Sequence, residues 1–338
     1  MCEKTVCCLA FDHCEISHEG KVYPCCPSWI KNNCIGNINH ASFESIWKSP
    51  AAKAIRKSII DGSYSYCDTK ICPKPQRPIC DEDKHCLILS PPRTYPKIVK
   101  LSYDCECNLS CFTCRNRPFA YSDSDLEDMD KDIDEKYLPI LETVQQVILS
   151  GSGDPFASRH TRLLIRRIAE TYPDIRFQFH TNGTLCNCRM LENLGVMDRT
   201  NLIDISLHSS TKEMWVKFTR GTEGQYDILL QNLNELADMK ARGKLDLRFS
   251  FVLTYMNYRE LAGFVRFADK FSALAFIWGY RNWGVQTEEE ARELSIYEPY
   301  HRSYPELKEI LKDPLFGLPH VFLFPEIERV RKEALENG

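Results

Sequence analysis

The chain has no apolar run approaching the eighteen residues that mark a membrane span, so a membrane protein is not expected. It has no excess of basic residues either. Forty-three Lys and Arg stand against forty-seven Asp and Glu, a net charge of −4, and without a basic face nucleic-acid binding is not expected. Met1 to Val6 shows no basic flank leading into an apolar core, so a secretory signal is not expected and the cytoplasm is. No internal repeat is visible. Cysteine is nearly missing from the last two-thirds of the sequence, where only Cys186 and Cys188 occur. What remains is 338 residues with 43% apolar and 27% charged side chains, the composition of an ordinary globular chain of one or two domains.

The other fifteen cysteines all lie between Cys2 and Cys114. A disulfide scaffold would be shorter and would spread its cysteines through the fold, so this clustering points to metal. The most specific run is Cys107-Asn-Leu-Ser-Cys111-Phe-Thr-Cys114, three thiols just after the strand-like segment 98–103. Three thiolates on a [4Fe-4S] cube leave one iron without a protein ligand, and an open iron can bind a small molecule. The alternative is a structural zinc site, which needs a fourth donor such as Cys105.

Residues 1–72 read as a compact cysteine-rich module. Glu15 to Tyr23 has the pattern of a hairpin turning at His18-Glu19-Gly20, and 43–47 and 51–60 have helical spacing. Six prolines from Pro73 to Pro96 make a semi-rigid connector, which sets a boundary near residue 90. Beyond it, strands are expected at 98–104, 145–150, 175–180, 202–207, 246–253 and 274–279. Helices are expected at 124–144, 158–171, 188–195, 224–241 and 259–271, then at 304–312 and 325–336. Six alternations of strand and helix argue for an α/β fold with a parallel sheet, either a partial barrel or doubly wound.

Such folds bind ligands at the carboxyl ends of their strands, and polar residues gather at four of those ends here. The cysteine triplet follows the first strand and Ser150-Gly-Ser-Gly-Asp-Pro155 follows the second. His180-Thr-Asn-Gly183 ends the third, and Ser206-Leu-His-Ser-Ser210 ends the fourth.

The spacing of Cys107, Cys111 and Cys114 resembles the signature of the radical S-adenosylmethionine (SAM) enzymes, and the likeness runs over roughly 97–280. Ser152-Gly153-Asp154 looks like the family's Gly-Gly-Glu element, whose backbone carbonyls receive the SAM amino group. Asn182 is similar to its strand-end element beside SAM, while Ser206 and Arg220 resemble the pair that binds the SAM ribose or carboxylate. Where the family often has an aromatic residue before the third cysteine, this chain has Thr113, with Phe112 one place earlier. The resemblance implies a partial (β/α)6 TIM-like barrel over 91–285 and a C-terminal helical extension over 286–338.

The N-terminal module resembles the SPASM and shorter twitch extensions that hold auxiliary clusters in that family. The likeness lies in Gly20-Lys-Val-Tyr-Pro-Cys-Cys26, Ile35-Gly-Asn-Ile38, Phe43-Glu-Ser-Ile-Trp47 and Ile55-Arg56. It implies an auxiliary [4Fe-4S] domain over 1–90, placed before the barrel rather than after it. Cys7, Cys25, Cys67 and Cys72 are the expected ligands, with Cys8 and Cys26 as alternatives to the first two. Cys14, Cys34, Cys80 and Cys86 are spare, and the last two would serve a second auxiliary cluster. A zinc ribbon is the competing reading of this module.

The resemblance further implies that an external one-electron reductant such as flavodoxin or ferredoxin feeds the first cluster. Reductive cleavage of SAM would give a 5′-deoxyadenosyl radical that takes hydrogen from the substrate. An auxiliary cluster suits two-electron oxidation or crosslinking. Epimerisation is the alternative, with Cys186 or Cys188 as hydrogen donor, and an iron-sulfur electron carrier or scaffold is a third reading. The substrate is open between a small molecule, a carbohydrate-like compound and a peptide. Trp278, Tyr280, Arg281 and Trp283, with Tyr297, Tyr300, His301 and Arg302, would either grip it or pack the C-terminal helices.

Overall fold

The computed structural model describes residues 7–73, 95–149 and 152–336. They pack as two compact units. One comprises Met1–Cys105, Tyr121–Gly153 and Arg159–Phe177, and the other Glu106–Ala120, Asp154–Ser158 and Gln178–Gly338. The connector from 74 to 94, with Cys80 and Cys86, lies outside the described residues.

In the first unit the expected hairpin forms between β1 (His13–Ser17) and β2 (Lys21–Tyr23), paired at Glu15↔Tyr23 and Ile16↔Val22. Its turn needs two left-handed residues, Glu19 at φ 62° and Gly20 at φ 74°. A Cβ on Gly20 would also stand 2.7 Å from Asn39 Nδ2, so glycine is required twice over. The short strand β3 (Gly36–Asn37) pairs antiparallel with β2.

The other edge of β1 is taken by a strand far along the chain. β1 runs parallel to β4 (Ile98–Ser102), in register from His13↔Ile98 to Ser17↔Ser102, and β4 runs parallel to β5 (Gln146–Leu149). Both edges of β1 are therefore paired. Cys14 and Ile16 are wholly buried, and the buried Glu15 carboxylate accepts from Ser102 Oγ at 2.7 Å and Lys100 Nζ at 3.2 Å. The sequence pattern indicates the hairpin but not this pairing.

The helices Phe43–Trp47 and Pro50–Ile60 start at Ser42 and Ser49, whose side chains accept from the backbone amides of Ser45 and Ala52. Arg56 is buried between them and carries its guanidinium 4.1 Å over the Trp47 ring. It donates to the carbonyls of Ala10 (2.8 Å) and Trp47 (2.7 Å). The single helix expected over 124–144 is interrupted. An α-helix at Asp123–Asp132 passes into a π-turn at Ile133–Tyr137 before resuming at Leu138–Ile140. Pro139 has no amide proton for the carbonyl four residues back, and this is the physical reason for the altered winding.

β6 (Arg176–Thr181) runs from the first unit into the second. The second unit then holds β7 (Thr200–Ser206), β8 (Asp246–Leu253), β9 (Leu274–Gly279) and β10 (Val321–Leu323), each parallel to the next. Phe249 and Phe251 of β8 pack on Phe264, Phe267 and Phe271 at the Leu261–Lys270 helix. Strand alternation sends Arg248, Ser250 and Val252 to the opposite face. β10 and the helices Lys212–Thr219 and Glu288–Leu294 were not expected from the sequence pattern. Among the described residues, no helix is long and apolar enough to cross a membrane.

Candidate iron-sulfur and SAM site

The cysteine loop of the second unit is held mainly through its backbone. Ser110 N and Phe112 N donate to the carbonyls of Thr219 and Phe218 at 3.3 and 2.9 Å. The Phe112 carbonyl accepts from Gln286 Nε2 at 2.5 Å, and Gln286 is fixed in turn by the Tyr280 hydroxyl at 2.8 Å. Arg220, itself left-handed at φ 55°, donates to the carbonyls of Arg115 and Asn116 just beyond Cys114. The Phe112 ring lies edge-on to Phe218, 5.3 Å between centroids, and Thr113 is buried.

Strand ends meet this loop from one side. Asn182 directs its Nδ2 to Asn108 Oδ1 at 2.9 Å and towards Cys107 Sγ at 3.9 Å. Its Oδ1 accepts from both Thr184 N and Thr184 Oγ1. Asp154 is almost wholly buried, and its Oδ2 accepts from Thr181 Oγ1 (2.7 Å) and Asn182 N (2.8 Å). Its Oδ1 accepts from Phe156 N at 3.0 Å, and its amide donates to the Glu106 carbonyl at 2.8 Å. Burial holds this carboxyl above its ordinary pKa despite those hydrogen bonds. The acid is thus spent on fixing the loop. Ser152 is exposed and Gly153 half-buried immediately before it, while Ser150 and Gly151 lie outside the described residues.

Gly183 follows Asn182 at φ 81°, where a Cβ would stand 2.6 Å from Leu229 Cδ1. Gly183→Ala is expected to destabilise the protein by about 1–3 kcal/mol, read as a lowered urea midpoint.

The three thiols have the chemistry an iron-sulfur cluster requires. All are free. Burial, with Asp154 adding to it, pushes Cys107 up to about 11, and burial with the neighbouring Cys107 and Cys114 raises Cys111 further. Cys107 and Cys111 therefore hold their protons more firmly than ordinary thiols, and a coordinating metal removes such protons. The structure thus gathers Cys107, Cys111, Cys114, Asp154, Asn182 and Arg220 around one loop. Ser206 stands half-buried at the end of β7. Asn108, Thr184 and Gln286 belong to the support of this site. Only the position of Asn108 inside the cysteine run gave a sequence signal for any of them.

Cys186 is completely buried, and burial raises its thiol well above the ordinary value. Cys188 is half-buried, raised by burial and by Glu235, whose carboxylate accepts from its amide.

The first unit holds a second thiol group. Burial pushes Cys25 well up, and Cys7, Cys26 and Cys72 push it further. Cys67 is raised by burial and by Cys7. The Tyr64 hydroxyl is raised by burial, with the charges of Cys7, Cys67 and Cys72 adding to it. Four thiols therefore share one neighbourhood. Cys26 adjoins Cys25 but is itself shifted, after burial, by Lys100, Glu15 and the backbone amides of Ser28 and Trp29. Cys14 is enclosed in β1 and Cys34 is exposed. Among the described residues no three His, Cys, Asp or Glu side chains are grouped closely enough for one metal ion. A cube asks for something different, one thiolate for each of several irons.

Parallel strands, with free thiols after β4 and in the module before it, suit iron-sulfur chemistry. Residues 105–268 match the model of the radical SAM superfamily, and residues 7–73 match SPASM, an iron-sulfur cluster-binding domain. The chain thus carries a radical SAM domain preceded by an SPASM domain, and its parallel α/β fold is consistent with a partial barrel. These domains imply a [4Fe-4S] cluster, SAM and auxiliary iron-sulfur clusters.

Among solved structures, the chain is similar to TYW1 with a lysine-pyruvate adduct bound, at 14% identity and TM-score 0.39, over 64% of this chain and 73% of that one. It is similar to native anSMEcpe with bound AdoMet, at 14% identity and TM-score 0.40, over 67% of this chain and 63% of that one. It is also similar to HydG, a maturase of the [FeFe]-hydrogenase, at 13% identity and TM-score 0.41, over 71% of this chain and 55% of that one. The search of curated proteins found no match.

Proposed function

We propose that this radical SAM protein is an oxidoreductase that removes two electrons from a small-molecule, carbohydrate-like or peptide substrate, or crosslinks a peptide. The observation that carries this reading is the second thiol group, in the neighbourhood shared by Cys7, Cys25, Cys67 and Cys72. When bound, SAM and a reduced cluster supply a 5′-deoxyadenosyl radical able to take hydrogen from an unactivated C–H bond.

The chain's own residues do the positioning. Cys107, Cys111 and Cys114 would hold the first cluster. The backbone of Ser152, Gly153 and Asp154 would face the SAM amino group, with Asn182, Ser206 and Arg220 as its further contacts. The tight tie from Asp154 to Thr181 and Asn182 keeps those backbone groups from shifting between turnovers. Hydrogen abstraction leaves one electron to be disposed of, and the four thiols of the N-terminal module would hold its acceptor. The domain division that fits is 1–90 for that module, 91–285 for the barrel and 286–338 for the extension. A flavodoxin- or ferredoxin-like reductant would supply the first electron. The cytoplasm would be the place of reaction.

Iron analysis of the anaerobically reconstituted chain tests the auxiliary site. About eight irons per chain are expected for two clusters. Cys25→Ser is expected to lower this to about four, while Cys26→Ser keeps about eight because no other thiol is among the groups that shift Cys26. Equal losses in both variants would overturn the ligand assignment.

A further inference from the structure

The β7–β9 face turned away from the Leu261–Lys270 helix carries a connected set of charged and polar side chains. Arg248 donates from Nε (2.8 Å) and Nη2 (2.6 Å) to Asp204 Oδ2, and Ser250 Oγ donates to Asp204 Oδ1 at 2.7 Å. Arg248 Nη2 also stands 3.2 Å from His180 Nε2, with Gln178 Nε2 2.8 Å from the same atom. An arginine only donates, so in that contact His180 Nε2 is the acceptor. Next to this set is an aromatic wall. The Arg248 guanidinium lies 4.7 Å over Phe276, Phe276 meets Phe322 at 4.6 Å, and Trp278 stacks on Phe324 at 3.4 Å between centroids.

Packing does not account for this arrangement. Parallel sheets are ordinarily covered on both faces by apolar residues. A buried ion pair is often no better for stability than well-packed apolar side chains of the same volume. Here Asp204 and Arg248 keep only 6% and 15% of their side-chain surface exposed. Phe276, Trp278 and Phe322 are only half-buried. The register places Arg248 opposite Asp204 and Ser250 opposite Ser206. The ion pair therefore lies two residues before Ser206 on the same face, about 7 Å along the strand. A SAM molecule held at Ser206, as proposed above, would therefore share this face with the ion pair.

We propose that Gln178, His180, Asp204 and Arg248, with Phe276 and Trp278, form the substrate subsite, and that the substrate is an uncharged polyhydroxylated ring of the sugar or cyclitol class. The proposal rests on the SAM-dependent reading above. Asp204 and Arg248 cancel in charge, so neither an anionic nor a cationic group gains by approaching. Their remaining donors and acceptors, with Ser250 and His180, suit hydroxyls. The aromatic wall takes the C–H face of a ring, as a pocket with a few convergent polar groups on apolar walls does. A site built to hydrogen-bond hydroxyls rejects ligands that lack them.

The test is saturation-transfer NMR on the full chain, reconstituted and loaded with SAM. The probes are myo-inositol, methyl α-D-glucoside and the tripeptide Gly-Ser-Gly. Transfer to the ring protons of either hydroxylated probe is expected, weakened at least tenfold in Arg248→Gln and in Trp278→Leu. It should be unchanged in Lys312→Ala, whose exposed ammonium pairs with Glu309. Two variants on different strands separate loss of the site from loss of one fold. Binding equal in all variants, or no binding of either ring probe, overturns the subsite. Binding of the tripeptide alone overturns the substrate class. Release of 5′-deoxyadenosine by the wild-type protein is followed in parallel. Its absence would sink the SAM-dependent reading while the probe-binding result still stands.

Discussion

Cys107→Ala, Cys111→Ala and Cys114→Ala are each expected to bring 5′-deoxyadenosine formation down to that of the protein-free control. The assay is anaerobic reduction in the presence of SAM, with the nucleoside quantified by chromatography. The loss should exceed about 100-fold, the upper end of what removing an outer-sphere partner of a metal site costs. Asn182→Ala provides that comparison. Its amide reaches Cys107 Sγ only at 3.9 Å and spends its stronger bond on Asn108. It is therefore expected to lose roughly 10- to 100-fold while keeping its iron. Full activity in any of the three cysteine variants would remove the open-iron assignment.

Asp154→Ala is expected to cost about 3 kcal/mol or more of stability, because it strands three buried donors at once. Those donors are Thr181 Oγ1 and the amides of Asn182 and Phe156. Weaker SAM binding should accompany the loss, since the loop proposed to face the ligand is released. A urea melt and a SAM titration read the two effects. The pH dependence carries a definite sign. The folded carboxyl sits above its ordinary value, so its contribution to stability is fully present below the unfolded pKa. It falls away as pH rises through the folded one. Asp154→Asn has no such titration, and its melting should vary less over that window. A steeper fall in the Asn variant would contradict the burial argument.

Local pattern made much of this molecule legible. Alternation placed β4 to β9 within a few residues, and Gly20 marked the hairpin turn. The clustering of cysteine before residue 115 was readable from composition, whereas the choice of Cys7, Cys25, Cys67 and Cys72 rested on spacing and resemblance. Some misses had a signal available. Pro139 stands inside the expected 124–144 helix, and Thr211 is an N-cap for the Lys212–Thr219 helix, where it accepts from Met214 N. Other features had none. Arg248 in a strand reads as a residue facing water until its partner Asp204 is brought opposite by strand register. Gln286 looks like any loop glutamine, and only the fold delivers it to the Phe112 carbonyl. Pairing of β1 with β4 depends on residues too distant for any window to relate.

That pairing has a consequence for how the chain is made. Glu15 and Lys100 are 85 positions apart. At about 5–20 residues per second, β1 leaves synthesis roughly 4–17 s before the strand that covers its edge. During that interval it offers an open row of amides and carbonyls, the kind of edge to which other chains add. Its Glu15 is the one charged residue between Cys14 and Ile16, with no Lys100 or Ser102 yet to meet it. A bare carboxylate on an open strand opposes association with a second copy, and the same group later becomes the buried anchor of the finished sheet.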